Sequence, residues 1–391
     1  MTSMQLSAAR ALPDDGCAGA LAGRVFRPGL GASVVAIRDE GVVDVTALFP
    51  TMRDLTEAPD PAAALRAAQG EPLGQLDPIL ANADPARRDP AKPWLLAPVD
   101  LHAVKAAGVT FAISMLERVI EERARGDLGK AVAIRAEMTQ MIGDDLARLK
   151  PGSPEAARLK EHLLRIGAWS QYLEVGIGPD AEIFTKAQPL SAVGTGMEAG
   201  LHPISDWNNP EPEVVVVVAS TGEIVGATLG NDVNLRDVEG RSALLLSKAK
   251  DNNASTALGP FLRFFDHGFS LDDVRAAEVT LKVEGEDGFV LDGASSLKKI
   301  SRDPADLVAQ LIGPHHHYPD GAVLFLGTLF APIKDRGAPG KGFTHHMGDI
   351  VTIATPKLGR LVNRMRRSTE CEPWTYGTRA LMADLSKRGL L

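Results

Sequence analysis

Five valines in succession, Val214–Val218 within EPEVVVVVAS, constrain this chain more than any other segment. β-Branched side chains are stiff about their first torsion and favour strands, and a run this short has the length of a strand rather than a helix. With no polar alternation it reads as a buried strand, so the rest of the chain must supply its cover. EIVGATLG follows after a Thr-Gly turn, and AAEVTLKVEG, FVLD, AVLFLGTLFA and DIVTIATP are further strand candidates. Among these later strands only PADLVAQLIG reads as a helix. There is no strict strand–helix–strand alternation, no GxGxxG after a strand and no P-loop, which argues against a nucleotide-binding parallel sheet.

Ahead of this region, residues 18–47 hold short strands split by Gly and Pro: ALAGRVF, ASVVAI and VVDVTAL. Residues 50–94 are rich in Ala, Asp and Pro, with a helix expected in DPAAALRAAQG, and read as a peripheral cover. LLAPVD at 95–100 reads as a short strand. From about 117 to 167 apolar residues recur three or four apart, which predicts a largely helical insertion. The expected fold class is therefore α+β, mixed and β-rich. It divides into an N-terminal domain over 1–95 and a second domain over 96–391 that carries the insertion.

Composition removes several functional classes. Apolar residues make up 45% and charged residues 24% of the chain, as in ordinary globular proteins. The formal net charge of -8 argues against nucleic acid as the main partner. No run of eighteen apolar residues is present, so no membrane span is expected. The first seventeen residues lack an apolar stretch of signal-peptide length, and the two cysteines, Cys17 and Cys371, form neither a disulfide framework nor a CxxC site. The cytoplasm is the expected compartment.

The chemistry points to acids. Glu211 and Glu213 stand two apart at the entrance to the valine run, so their side chains share one face of the strand. Like charges held together need a positive partner, and carboxylate oxygens suit Mg²⁺, Mn²⁺ or Ca²⁺. Asp232, in GNDVNLRD at the end of the next strand, returns to the same end and completes a candidate triad. A solvated strand end is the alternative for the Glu pair alone; Asp232 moves metal binding ahead of it. Lys248 and Lys250 follow an apolar LLL, and one of them drawn inward could have its pKa lowered and act as a base. Glu182, in GPDAEIFTKAQP with Lys186 close behind, is open between ligand, acid and partner of Lys186. Thr328, after a glycine in GTLFAP, can hold a carboxylate. The histidine runs 315–317 and 345–346 lack metal-ligand spacing and read as surface or structural.

The stretches WSQYLEVGIGPDAEIFTKAQPLSAVG, WNNPEPEVVVVV, GNDVNLRDVEGRSALLLSKAKDNNAS, HHHYPDGAVLFLGTLFAPIKDR and GFTHHMGDIVTIATPKLG together resemble the fumarylacetoacetate hydrolase superfamily. Within it the chain is most similar to the dehydratases of 2-keto-3-deoxy-pentonates. The resemblance runs from about residue 95 to the C-terminus. It implies a β-roll domain, a smaller N-terminal domain, and a homodimer or homotetramer. It places the metal triad on Glu211, Glu213 and Asp232, with Mg²⁺ as the ion and Mn²⁺ as a possible substitute. It places the base on Lys250 and the acid or water-orienting group on Glu182, with Thr328, Lys186, Ser114 and Glu117 toward the substrate. Hydrolases of the superfamily carry a lid motif whose His and Glu activate water; here, in TFAISMLE, Ser114 stands in the His position and Glu117 keeps the Glu. A serine is no base near neutral pH without an activator, which weakens C–C hydrolysis and fits elimination; a 2-keto acid decarboxylase on the same fold stays an alternative. The implied reaction is dehydration of a 2-keto-3-deoxy-pentonate to 2,5-dioxopentanoate, the semialdehyde of α-ketoglutarate.

Overall fold

A computed structural model describes residues 4–391 apart from 126, 132, 135–148, 166, 168, 330, 331, 333 and 338–341, and apart from the side chains of 112–114. The structure is mixed α+β and rich in sheet. Its main sheet contains β1 (Leu21–Arg27), β2 (Gly31–Arg38), β3 (Gly41–Asp44), β4 (Glu71–Gly74), β5 (Ala103–Gly108), β6 (Glu182–Ala187), β7 (Pro212–Val218), β8 (Ile224–Asp232), β9 (Thr256–Phe264) and β10 (Ala322–Phe325). The spatial order is β4-β3-β2-β1-β9-β8-β7-β10-β5-β6, and a short strand at Trp94–Leu96 pairs beside β1. A second sheet runs in the order Val290–Ser296, Glu278–Glu284, Ile350–Thr355, Gly359–Arg367, Glu198–Leu201.

The valine run is β7, central in the main sheet and fully buried. Alternation sends its side chains into two different cores. Val214, Val216 and Val218 pack with Val279, Leu281, Val351 and Ile353 of the second sheet. Val215 and Val217 face the opposite way, toward Val34, Leu258, Phe264 and the helix residues Met52 and Leu55. Apolar cover on both faces is why this strand needs no polar alternation.

Strand direction then brings one end of the sheet together. β7 runs antiparallel to β8 and to β10, so the start of β7 lies beside the ends of both neighbours. β10 is parallel to β5, and β5 is antiparallel to β6, which adds the end of β5 and the start of β6. β9 runs antiparallel to β8, so Lys250, just upstream of β9, arrives at the same end. Segments far apart in sequence therefore converge without any of them being close in the chain.

Several elements were not apparent in the sequence. β9 carries Pro260 in its middle, which removes a ladder donor and breaks the strand pattern. β6, Gly359–Arg367 and the C-terminal helix Thr378–Lys387 also form. The expected helix PADLVAQL is present as Pro304–Leu311, with Asp303 accepting from the Ala305 N–H and Pro304 at the first helical position. In the expected helical insertion, helices occupy Ala112–Ala124 and Pro154–Arg165; residues 135–148 lie outside the described residues. Among the described residues no helix is long and apolar enough to cross a membrane.

Candidate active site

Glu211, Glu213 and Asp232 meet at the convergent end of the sheet. Each offers a carboxylate oxygen, these oxygens lie within 4.8 Å of one another, and all three side chains are buried. Local pairing fixes them. The Glu211 N–H donates to Asn231 Oδ1 at 3.0 Å, and the Asp232 N–H donates to the Glu211 carbonyl at 3.0 Å. Glu213 Oε2 accepts the Gly327 N–H at 2.7 Å. Gly327 has φ +100°, and a Cβ there would meet the Thr110 hydroxyl, so only glycine brings this N–H to Glu213.

Lys250 closes the inner side. It ends a short helix, Leu246–Lys250, which leaves Lys248 exposed and turns Lys250 inward. Its ammonium lies 2.5 Å from Glu211 Oε2 and 3.1 Å from Asp232 Oδ2. Burial works against this charge, but Asp232, Glu211 and Glu239 outweigh it and raise the lysine pKa. That direction is opposite to the lowering considered from sequence. Arg118, which sequence reasoning missed, forms an ion pair with Glu211 and bonds to Glu121 Oε2 at 2.6 Å. Burial raises the Glu211 pKa, yet Lys250 and Arg118 together hold it down. Among the described residues Glu213 forms no such ion pair: burial first, then the charges of Asp232 and Glu211, push its carboxyl far above the usual range despite Lys250.

A small cavity of about 20 Å³ lies between these groups, lined among others by Gly108, Arg118, Glu182, Glu239, Lys250, Thr328 and the triad. Glu182 reaches it because its strand pairs Gly108 with Glu182, and any Cβ at 108 would lie 1.9 Å from Glu182 Oε2. Burial raises the Glu182 pKa despite Arg118 and Lys250. Glu239, also missed from sequence, sits on the helix Arg236–Glu239; burial pushes its carboxyl up to about 7 against the pull of Arg118 and Lys250.

Other expected site residues sit differently. Lys186 lies behind Asp232, 3.2 Å from Oδ1, and donates to the Lys250 and Ser255 carbonyls; it is not on the cavity wall. Glu117 pairs with Arg236 Nη2 at 2.9 Å, one layer away from the cavity. Thr328 is buried on the wall. The Ser114 side chain lies outside the described residues. His315–His317 are exposed, whereas His345 is buried against Asp349. The missed residues had a faint signal: Arg118 and Glu121 are three apart on one helix, a spacing that lets side chains pair.

The donor set fits a divalent cation. Among the lining residues five carboxyl groups, Glu182, Glu211, Glu213, Asp232 and Glu239, face only Arg118 and Lys250. Asp232 Oδ1 is buried with the Lys186 ammonium 3.2 Å away, and Lys186 is not among the residues lining the cavity. Hard oxygen donors and excess negative charge are what Mg²⁺ or Mn²⁺ takes up.

Residues 184–366 match the profile of the fumarylacetoacetate (FAA) hydrolase C-terminal family. Two curated relatives are more specific. A 2-dehydro-3-deoxy-D-arabinonate dehydratase of Saccharolobus solfataricus is 30% identical over 208 residues, 53% of this chain and 66% of that one. A Haloferax volcanii protein named "Probable 2-keto-3-deoxyxylonate dehydratase" is 31% identical over 192 residues, 49% of this chain and 62% of that one. In both cases the match spans just under two thirds of the relative. The solved structure of a 2-keto-3-deoxy-D-arabinonate dehydratase complexed with magnesium and 2,5-dioxopentanoate has the same fold; it covers 89% of this chain and 99% of its own at TM-score 0.59 and 21% identity.

Proposed function

We propose that this protein is a Mg²⁺-dependent dehydratase that converts a 2-keto-3-deoxy-pentonate, such as 2-dehydro-3-deoxy-D-xylonate or -D-arabinonate, to 2,5-dioxopentanoate and water. The observation that carries the reading is the buried Glu211, Glu213, Asp232 triad with the Lys250 ammonium directly on two of its members. The curated relatives, both named for this chemistry, support it, and so does the magnesium and 2,5-dioxopentanoate in the structure of similar fold.

Glu211, Glu213 and Asp232 would hold the ion, with Mn²⁺ able to replace Mg²⁺ on the same oxygens. The bound ion supplies Lewis-acid polarisation of the keto acid. The protein's own groups do the proton work. Lys250 keeps its proton because Asp232, Glu211 and Glu239 outweigh burial. A bound ion would offset the charge of Glu211 and Asp232, which shifts the balance toward burial, and burial favours the neutral amine. That amine can take a proton from C3 of the substrate. Glu182, whose carboxyl pKa burial raises, can donate to the departing C4 hydroxyl. Thr328 on the wall orients the substrate carboxylate. The same reading carries a homodimer or homotetramer, an N-terminal unit over residues 1–95, and a cytoplasmic setting.

The test is direct. Purified protein with Mg²⁺ and a 2-dehydro-3-deoxy-pentonate should form the semialdehyde, detected through a coupled aldehyde dehydrogenase, and chelation should stop it. An acylpyruvate should not be cleaved. Cleavage of the acylpyruvate with no semialdehyde from the pentonate would replace this reading by C–C hydrolysis.

A further inference from the structure

Resting on the dehydratase reading, we infer that Glu239 is a third proton-transfer group, working at the C5–C4 end of the substrate. Proton bookkeeping requires one. Lys250 takes a C3 proton, the electron pair forms C3=C4, and the C4–O bond breaks as the hydroxyl leaves with the Glu182 proton as water. What remains is 5-hydroxy-2-oxopent-3-enoate, an isomer of the product and not the product itself. To reach 2,5-dioxopentanoate one C5 proton must leave, its pair forming C4=C5 while the C3=C4 pair moves toward the C2 carbonyl. C3 then regains a proton from Lys250. The resulting C5 enol gives up its O–H proton and C4 gains one. If Glu182 takes the O–H proton and Glu239 carries the C5 proton to C4, every group ends as it began.

Glu239 is placed for this. It lines the same cavity as Lys250 and Glu182 and is buried. Its Oε2 forms an ion pair with Arg118 Nη1 at 3.0 Å. Arg118 stands between it and Glu211, so Glu239 lies across the guanidinium from the triad, away from the end where the keto acid would sit. Arg118 and Tyr172, whose hydroxyl reaches the Glu239 carbonyl at 3.5 Å, fix the backbone and carboxyl positions. A carboxyl pushed up to about 7 can both accept and return a proton near neutrality.

The experiment compares wild type, Glu239→Gln and Glu239→Asp with Mg²⁺ and the pentonate in D₂O, following the enone by ultraviolet absorbance and product deuteration by NMR. Glu239→Gln should still consume substrate and release the enone, with semialdehyde formation down roughly 100-fold or more, the scale of a lost acid–base group. Glu239→Asp should restore part of the second step. Semialdehyde at the wild-type rate from Glu239→Gln would overturn the assignment, as would equal loss of both steps with no enone. A wild type that leaves the pentonate untouched would instead overturn the dehydratase reading, and the assignment with it.

Discussion

Two charge clusters in this protein both set carboxylates against arginine and differ in balance. In one, Arg336 forks onto Asp349, with Nη1–Oδ2 2.6 Å and Nη2–Oδ1 2.8 Å, and onto Asp287 at 2.9 and 3.1 Å. His345 Nδ1 and the His346 N–H also meet Asp349 Oδ2. Each carboxylate there is matched by donors, and the pKa of Asp349 is lowered although burial opposes it. In the other cluster acids outnumber bases, and burial with the neighbouring acids raises the Glu213 carboxyl far above the usual range. Buried ionic groups that are matched tie loops together; those left unmatched inside a wall of their own charge are built for something that arrives from outside.

The comparison breaks most sharply at the triad. Glu213→Gln removes one ligand, and Mg²⁺ affinity measured by calorimetry should fall by more than about 100-fold, beyond the loss typical of groups that only support a ligand. Turnover should fall with it. An unchanged affinity would mean that the excess charge serves no ion. Lys250→Met should lower turnover by roughly 10²- to 10⁴-fold while Mg²⁺ binding stays within about tenfold of wild type. Wild-type turnover would remove Lys250 from the chemistry.

The balanced cluster should answer differently. Arg336→Met strands Asp349, whose side chain is 0% exposed, and should cost about 3 kcal/mol in urea unfolding. Mg²⁺ affinity should not change; a loss of affinity equal to that of Glu213→Gln would erase the distinction between the clusters. The smallest effect concerns pH. Burial lowers the His345 pKa below its ordinary 6.5, even though Asp349 pulls the other way. The unfolded chain therefore binds this proton more readily, so the His345 contribution to stability is present above about 6.5 and is lost as pH falls through that value. Asp349 titrates below 3.8 and stays outside this window. Between pH 7.5 and 5.5 the melting temperature should drop less for His345→Gln than for wild type; equal slopes would assign the drop to other groups.

Much of the site was legible because its chemistry is local in the chain. The Glu-x-Glu spacing on a strand puts two carboxylates on one face, and the apolar LLL before Lys250 hints that one lysine turns inward. Spacing alone did not tell Lys248 from Lys250; the resemblance named Lys250, and the short helix turns that one inward. Arg118 and Glu239 escaped notice because nothing in their own segments distinguishes a buried charge from a solvated helix face. Lys186 lay near the right carboxylate but on its far side, where the carbonyl of Lys250, 64 residues away, holds it.

By itself, then, the sequence determined that a buried valine strand lies at the centre of a β-rich α+β fold and that acids suited to a divalent ion stand at its entrance. Side-chain stiffness and the two-residue period of a strand act within a few residues, so they can be read from the chain alone. Only the tertiary structure decided which end of the sheet collects Glu182, Arg118, Glu239 and Lys250, because strand order and direction are set by packing between segments far apart. It also decided that Gly108 and Gly327 are glycines for Glu182 and Glu213: the space a Cβ would fill exists only once the neighbouring strands are in place.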